Sequence, residues 1–227
     1  MKPRNLTVKV IITAFLLTKS CFASIQTALE QSSNFPKKIQ KNTSLVIENM
    51  NKTIKTFNLE NNTIISHATI YKLKECLKPF GYFHADITQQ VVTEKNNTKT
   101  ILFHISLGTP IIIQSIKINF FGKGKDNTVF TQLKKHPLLQ PGDILNTDIY
   151  NQLKERIYKA ASDNGFFDAK IKYNNIAINT TDNTANITID TDTGSQYTIG
   201  ETIFNKTYYS NSFLKKYITY NKGDKYN

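Results

Sequence analysis

The chain has 227 residues, of which 39% are hydrophobic and 20% are charged, and its formal net charge is +12. This composition is sufficient for packed cores and excludes a disordered chain, while two cysteines exclude a disulfide-stabilised scaffold. The excess charge comes from lysines scattered singly or in pairs, without an arginine cluster or an aromatic stacking platform. We therefore expect a solvated basic surface and no nucleic-acid partner.

Residues 1–23 have the pattern of a secretory signal peptide. A basic start precedes an apolar run over 10–17, and Cys21 and Ala23 place small residues just upstream of a cleavage site at Ser24. A membrane anchor is the alternative interpretation, but a spanning helix needs roughly 20 apolar residues, which this run does not reach. We therefore expect an exported chain.

Two sequence landmarks recur in the same order at a spacing of roughly eighty residues. The first is FGYFHA at 80–85, which recurs as NGFFDA at 164–169. The second is LGTP at 107–110, which recurs as TGSQ at 193–196 and is followed both times by a strand pattern. Because the landmarks keep one order, the sequence predicts tandem copies of one structural unit.

These landmarks divide the exported chain into three segments. We assign the first copy to 24–110, the second to 111–194 and the start of a third to 195–227. The third segment offers a strand pattern over 199–204 and a helix near 212–220, without the remaining elements of the unit. A lone strand and helix cannot bury their apolar faces, so we expect this segment to be unstable by itself.

The first copy is clear only in its second half. Its beginning must supply a strand near 25–29 and a helix near 35–50. Ser66 is the predicted N-cap of a second helix, and Pro79 should distort the last turn because proline removes a backbone hydrogen bond. Alternating apolar residues predict a strand over 101–107.

The second copy shows the whole unit. Alternation predicts a strand over 113–120, and a short helix follows. A longer helix has Asn146 or Thr147 as its N-cap and an apolar stripe formed by Ile149, Leu153 and Ile157.

Gly165 should end that longer helix in the left-handed conformation, as Gly81 should in the first copy, so we assign both glycines structural roles. A strand over 168–178 then pairs with a returning strand over 185–189. On the first of these strands, alternation places Asp168, Lys170 and Lys172 on one face and Ala169, Ile171 and Tyr173 on the other. The unit is β-α-α-β-β, an α+β fold with two helices on a small three-stranded mixed sheet.

The repeats resemble POTRA domains of the outer-membrane-protein assembly superfamily. Three features carry this resemblance: Gly81-Tyr82-Phe83 closing the first copy, Gly165-Phe166-Phe167-Asp168-Ala169 closing the second, and the linking segment over 192–200. The chain is most similar to the TamA family, the outer-membrane subunits of the translocation and assembly module. The BamA family is the alternative, since two complete repeats do not distinguish the two.

The resemblance implies a location at the periplasmic face of the outer membrane and a TamB-like inner-membrane partner. It also implies unfolded outer-membrane proteins or autotransporters as substrates. The family reaches the outer membrane through a β-barrel of at least eight strands of about 10 residues, for which this chain has no room, so we expect a fragment or a truncated product. The alternative for a truncated product is a freestanding periplasmic scaffold or binding protein. A third hypothesis is a secreted basic protein that binds anionic surface polymer or host components.

No pattern in the sequence points to catalysis, a metal or a cofactor. The four histidines are isolated from one another and lack metal-ligand spacing. Cys76 should lie on the inner face of a helix as a small buried hydrophobe. We therefore expect a protein that is not an enzyme.

The predicted binding feature is an open strand edge. In the family the last strand lies in the middle of the sheet, which leaves the second strand, over 168–178 here and near 84–92 in the first copy, unpaired on one side. Such an edge can accept an extended chain as an added strand. We therefore propose Asp168, Lys170 and Lys172 as partner-binding residues, with the lysines also opposing edge-to-edge aggregation.

Overall fold

A computed structural model describes residues 24–30, 35–94, 98–205 and 208–226, so the predicted signal peptide lies outside the described residues. The chain divides into two compact units, and the division falls between Pro110 and Ile111. Within the described ranges, no helix combines the length and the apolar character that a membrane span requires.

The first unit forms a three-stranded mixed sheet with two long helices. Its elements are β1 (Ile25–Leu29), α1 (Lys37–Phe57), α2 (Asn62–Leu77), a 3-10 turn (Lys78–Phe80), β2 (Asp86–Thr93) and β3 (Lys99–Ser106). The strand order is β1-β3-β2, with β3 parallel to β1 and antiparallel to β2. The central strand β3 contributes Ile101, Phe103 and Ile105 to the core, as alternation predicted.

Two local predictions for the first unit have different outcomes. Helix α2 begins at Asn62, four residues before the predicted cap Ser66. Its N-cap is Asn61, whose side chain accepts a hydrogen bond from the Ile64 N–H. Ser66 was therefore wrongly predicted as the cap and lies buried inside α2. Pro79 distorts the helix end as predicted, since α2 gives way there to the 3-10 turn, whose left-handed cap is Gly81.

The second unit repeats this architecture. Its elements are β4 (Ile112–Phe121), α3 (Thr128–Lys135), α4 (Thr147–Asp163), β5 (Lys170–Asn179), β6 (Thr184–Asp192) and the short α5 (Asn211–Lys215). The strand order is β4-β6-β5, with β6 parallel to β4 and antiparallel to β5. The α+β fold of repeated β-α-α-β-β units, each with a small mixed sheet, is therefore confirmed.

The core of the second unit lies between the sheet and its two helices. Leu153 and Ile157 of α4 are fully buried, as the predicted stripe requires, whereas Ile149 is only partly buried and Tyr150 is the buried residue of the first turn. Asn146 is the N-cap of α4, because its side chain accepts hydrogen bonds from the backbone N–H groups of Asp148 and Ile149. Phe130 of α3 is fully buried, and its ring lies between those of Phe120 and Phe166. Sequence periodicity thus located the packed faces correctly.

The predicted strand over 199–204 does not form. Thr198 makes an isolated bridge with Lys225, and the residues that follow are irregular. A strand needs a ladder of backbone partners, and here a single bridge takes its place.

Cys76 lies on α2 and is half-buried. Its Sγ donates a hydrogen bond to the carbonyl of Leu73, and burial raises the pKa of the thiol to about 11. The thiolate that would make this cysteine nucleophilic is therefore scarce at neutral pH.

Candidate functional site: the open strand edges

In both units the central strand has a neighbouring strand on both sides, and each of the two outer strands has a neighbouring strand on one side only. The outer strands are β1 and β2 around β3, and β4 and β5 around β6. Within the described residues, no further strand joins either sheet. The predicted position of the last strand in the middle of each sheet therefore matches the observed strand order.

The hydrogen bonds of β6 identify which backbone groups of β5 point outward. The Ile112 N–H donates to the Asn183 carbonyl, and the Thr193 N–H donates to the Phe121 carbonyl. The backbone groups of the odd-numbered residues of β6 therefore point to β4. Successive strand residues point their backbone groups to opposite sides, so the even-numbered residues bond to β5. In the register of the pair, the β5 residues left pointing outward include Asn174, Ile176 and Ile178.

A bulge changes the start of β5. The register shifts between Ile171 and Tyr173, so Lys172 is the extra residue. Tyr173 then lies opposite Asp190 and is exposed, which corrects the prediction that it shares a face with Ile171. A bulge reverses the alternation beyond it, and the strand pattern carried no signal for it.

The start of the β5 edge also has its own local partners. The Ile171 N–H, which points outward, donates to the Tyr158 hydroxyl at 3.3 Å. Lys172 Nζ lies 3.9 Å from a carboxylate oxygen of Asp192, and exposed Lys170 is opposite that same residue in the register. The outward groups beyond the bulge, from Asn174 onward, are therefore the more accessible part of this edge.

Asp168 is separated from the two lysines. The strand begins at Lys170, so the predicted start at Asp168 was wrong. The Asp168 carboxylate instead accepts a hydrogen bond of 2.9 Å from the Tyr197 hydroxyl. This bond and the negative charge of Asp168 raise the pKa of Tyr197. Sequence reasoning missed Tyr197, because its contact joins residues that no local pattern connects.

The edge of β2 in the first unit has a different chemistry. The Lys99 N–H donates to the Ser24 carbonyl, and the Glu30 N–H donates to the Phe103 carbonyl. The backbone groups of the odd-numbered residues of β3 therefore point to β1. The even-numbered residues of β3 bond to β2, which leaves the backbone groups of Ile87, Gln89 and Val91 outward in the register. All residues of β2 except Ile87 are exposed, and the strand contains no lysine. This edge therefore lacks the lysines that protect β5, and Asp86 at its start is its one charged residue.

The two structural glycines occupy the predicted positions. Gly81 has φ 86° and Gly165 has φ 74°, and Phe166 donates its N–H to the carbonyl of Ala161 across the end of α4. An added Cβ at Gly165 would lie 2.8 Å from the Cβ of Tyr226, so this position combines left-handed backbone with close packing. The loop after Gly165 also carries an exposed aromatic contact, in which Phe167 packs edge-to-face on Tyr197 and Tyr226.

The described residues contain no group of three His, Cys, Asp or Glu side chains placed to hold a metal ion. What the geometry offers is backbone hydrogen bonding along strand edges, which requires no particular side chain on the ligand.

Comparison with solved structures finds similar chains at low sequence identity. One is BamA POTRA3–5 from Haemophilus influenzae, at 15% identity over 90% of this chain and 79% of that chain, with a TM-score of 0.41. POTRA1–3 of the periplasmic domain of Omp85 from Anabaena is 13% identical over 75% of this chain and 64% of that chain, with a TM-score of 0.32. CdiB from Escherichia coli is 13% identical over 76% of this chain and 27% of that chain, with a TM-score of 0.34. The chain thus spans only part of the Omp85 and CdiB chains.

A family model described as "POTRA: Surface antigen variable number repeat" matches residues 114–194. The match begins within β4 and extends past the end of β6, so it includes α3, α4 and β5 as well. Residues 114–194 therefore match the POTRA repeat in sequence and have the β-α-α-β-β order expected of it.

Proposed function

We propose that the chain is the POTRA region of an outer-membrane-protein assembly factor of the Omp85 superfamily, exported to the periplasmic face of the outer membrane. The POTRA match over 114–194 and the signal-peptide pattern over 1–23 support this proposal. Within the superfamily we propose a TamA-like factor with a TamB-like inner-membrane partner, on the landmarks of the sequence. A BamA-like factor has equal support from the POTRA match. Under either assignment the role is to bind and is not enzymatic.

The proposed activity is strand addition, in which an extended segment of an unfolded outer-membrane protein or autotransporter pairs with an open edge. The observation that carries it is the strand order, because it leaves β2 and β5 each with an unpaired side. Backbone N–H and C=O groups are the same in every client, so the binding energy depends little on client sequence. That property suits a factor that handles many different unfolded chains.

The two edges support this activity differently. On β5, Lys170, Lys172 and the bulge hinder pairing with another folded sheet, while Asn174, Ile176 and Ile178 keep outward backbone groups. Such protection lowers aggregation and still permits a flexible peptide to approach. Asp168 contributes indirectly, since its bond to Tyr197 holds the loop from which β5 begins.

Proline substitution tests strand addition directly. In the double variant Gln89→Pro/Asn174→Pro, each proline removes an outward N–H and leaves the ladder bonds within its sheet intact. Each lost backbone hydrogen bond is worth about 1 kcal/mol, and a peptide pairs with one edge at a time, so we expect its binding at each edge to weaken about 5-fold. The measurement is the fluorescence anisotropy of a labelled ten-residue peptide of alternating valine and threonine, titrated with the full chain.

The matched control is Gln89→Ala/Asn174→Ala, which loses the same side chains and retains both N–H groups. It also removes the hydrogen bond from the Tyr150 hydroxyl to Asn174, as the proline variant does. The control should bind the peptide like the wild type. Equal weakening in the alanine and proline variants would mean that side chains, and not the strand edges, hold the peptide, and strand addition would be rejected.

A further inference from the structure

A groove runs along the edge of β4, on the opposite side of the second sheet from β5. Its volume is about 300 Å³, and it is lined by Ile116, Lys117, Ile118, Asn119, Lys134 and Pro137. Four of these residues are consecutive on β4, and the other two lie at and just after the end of α3. The groove therefore follows the strand backbone, with the helix layer as its second wall.

The β4 backbone within this groove is unpaired on its outer side. Phe121 points its carbonyl to Thr193, on the β6 side, so alternation directs the backbone groups of Ile116 and Ile118 away from β6. The start of the same edge is closed, because Ile113 exchanges hydrogen bonds with Gly142 and Asp143. The open part of the edge thus lies beyond Ile113 and includes the length of the groove.

Two cations line this groove without a counter-ion. Among the residues that the structure describes, neither Lys117 nor Lys134 has a carboxylate within ion-pair distance. On β5, by contrast, Lys172 already lies near Asp192. The only polar lining side chain with a local acidic partner is Asn119, whose amide donates to Asp190 at 2.8 Å. A carboxylate entering the groove would therefore meet uncompensated positive charge.

We propose that this groove is a second strand-addition site, selective for an extended segment that carries an acidic side chain. The segment pairs its backbone with the outward groups of Ile116 and Ile118. Its carboxylate lies towards Lys134 on the helix side of the edge, because alternation places Lys117 on the face of the sheet away from α3. This inference rests on the proposed function and adds to it a preference for acidic segments, which the β2 strand, without a lysine, cannot provide.

The test compares two labelled ten-residue peptides of alternating valine and threonine, one with glutamate and one with glutamine at the same central position. Anisotropy titration of the full chain should show the glutamate peptide binding about 3- to 5-fold more tightly, as expected for partly exposed ion pairs. Lys134→Glu should abolish this preference. Lys135→Glu is the matched control, because it makes the same charge change at a neighbouring residue that does not line the groove.

The outcomes separate this inference from the proposed function. Equal affinity for the two peptides, or equal effects of Lys134→Glu and Lys135→Glu, would overturn the acidic groove. In that case strand addition still stands if Gln89→Pro/Asn174→Pro weakens binding of the valine–threonine peptide. Failure of every peptide to bind the wild-type chain would overturn both. Slower amide exchange at Ile116 and Ile118 with the glutamate peptide bound would locate the site on β4.

Discussion

Replacing Phe130 with alanine is expected to lower the free energy of unfolding of the second unit by about 3–5 kcal/mol. The side chain is fully buried, and its ring centroid lies 4.8 Å from that of Phe120 and 5.1 Å from that of Phe166. The Phe130 ring thus links α3 to β4 and to the loop after α4. Its removal leaves a cavity between these three elements, which they cannot fill by moving closer to one another. Urea denaturation followed by circular dichroism measures the change.

Phe121→Ala is the matched control for this substitution. Phe121 neighbours Phe120 on β4, but 52% of it is exposed, so its truncation should cost less than about 1 kcal/mol. If the two alanine variants lost equal stability, the packing of α3 on the sheet would not be the basis of this unit's stability.

Gly165→Val is expected to destabilise the second unit by about 3 kcal/mol, through two separate effects. The backbone at Gly165 has φ 74°, which a β-branched residue adopts only with strain. An added Cβ would also lie 2.8 Å from the Cβ and 2.9 Å from the carbonyl oxygen of Tyr226. Thermal and urea unfolding of the full chain provide the measurement.

Gly142→Val separates these two effects. Gly142 has φ 96°, and an added Cβ there would have no atom within 4 Å, so only backbone strain applies. We expect this control to cost about half as much as Gly165→Val. Equal losses would show that the contact with Tyr226 contributes nothing, and no loss at Gly165 would contradict the helix end described for α4.

The sequence allowed prediction of those features that depend on local chemistry. Alternation located β3 and β4, and the apolar stripe at Leu153 and Ile157 located the buried face of α4. The cap at Asn146 and the positive φ of Gly165 followed from side-chain and backbone preferences within one turn. These features need no knowledge of distant residues.

The errors arose where a distant contact decides the structure. The bulge at Lys172 depends on the register between β5 and β6, and it moved Tyr173 to the other face. Asp168 was assigned to the edge, whereas the hydroxyl of Tyr197 holds it in the preceding loop. The groove along β4 was not predicted at all, because its walls come from a strand and from the end of a helix that the sequence separates.

Residue-resolved amide exchange of the full chain, with and without excess valine–threonine peptide, tests the central claim most directly. Strand addition predicts slower exchange at the outward amides of Gln89, Val91, Asn174 and Ile176, with little change at their neighbours, which already bond within the sheets. Binding of the peptide without protection of these alternate amides would contradict the claim that the open edges hold the client.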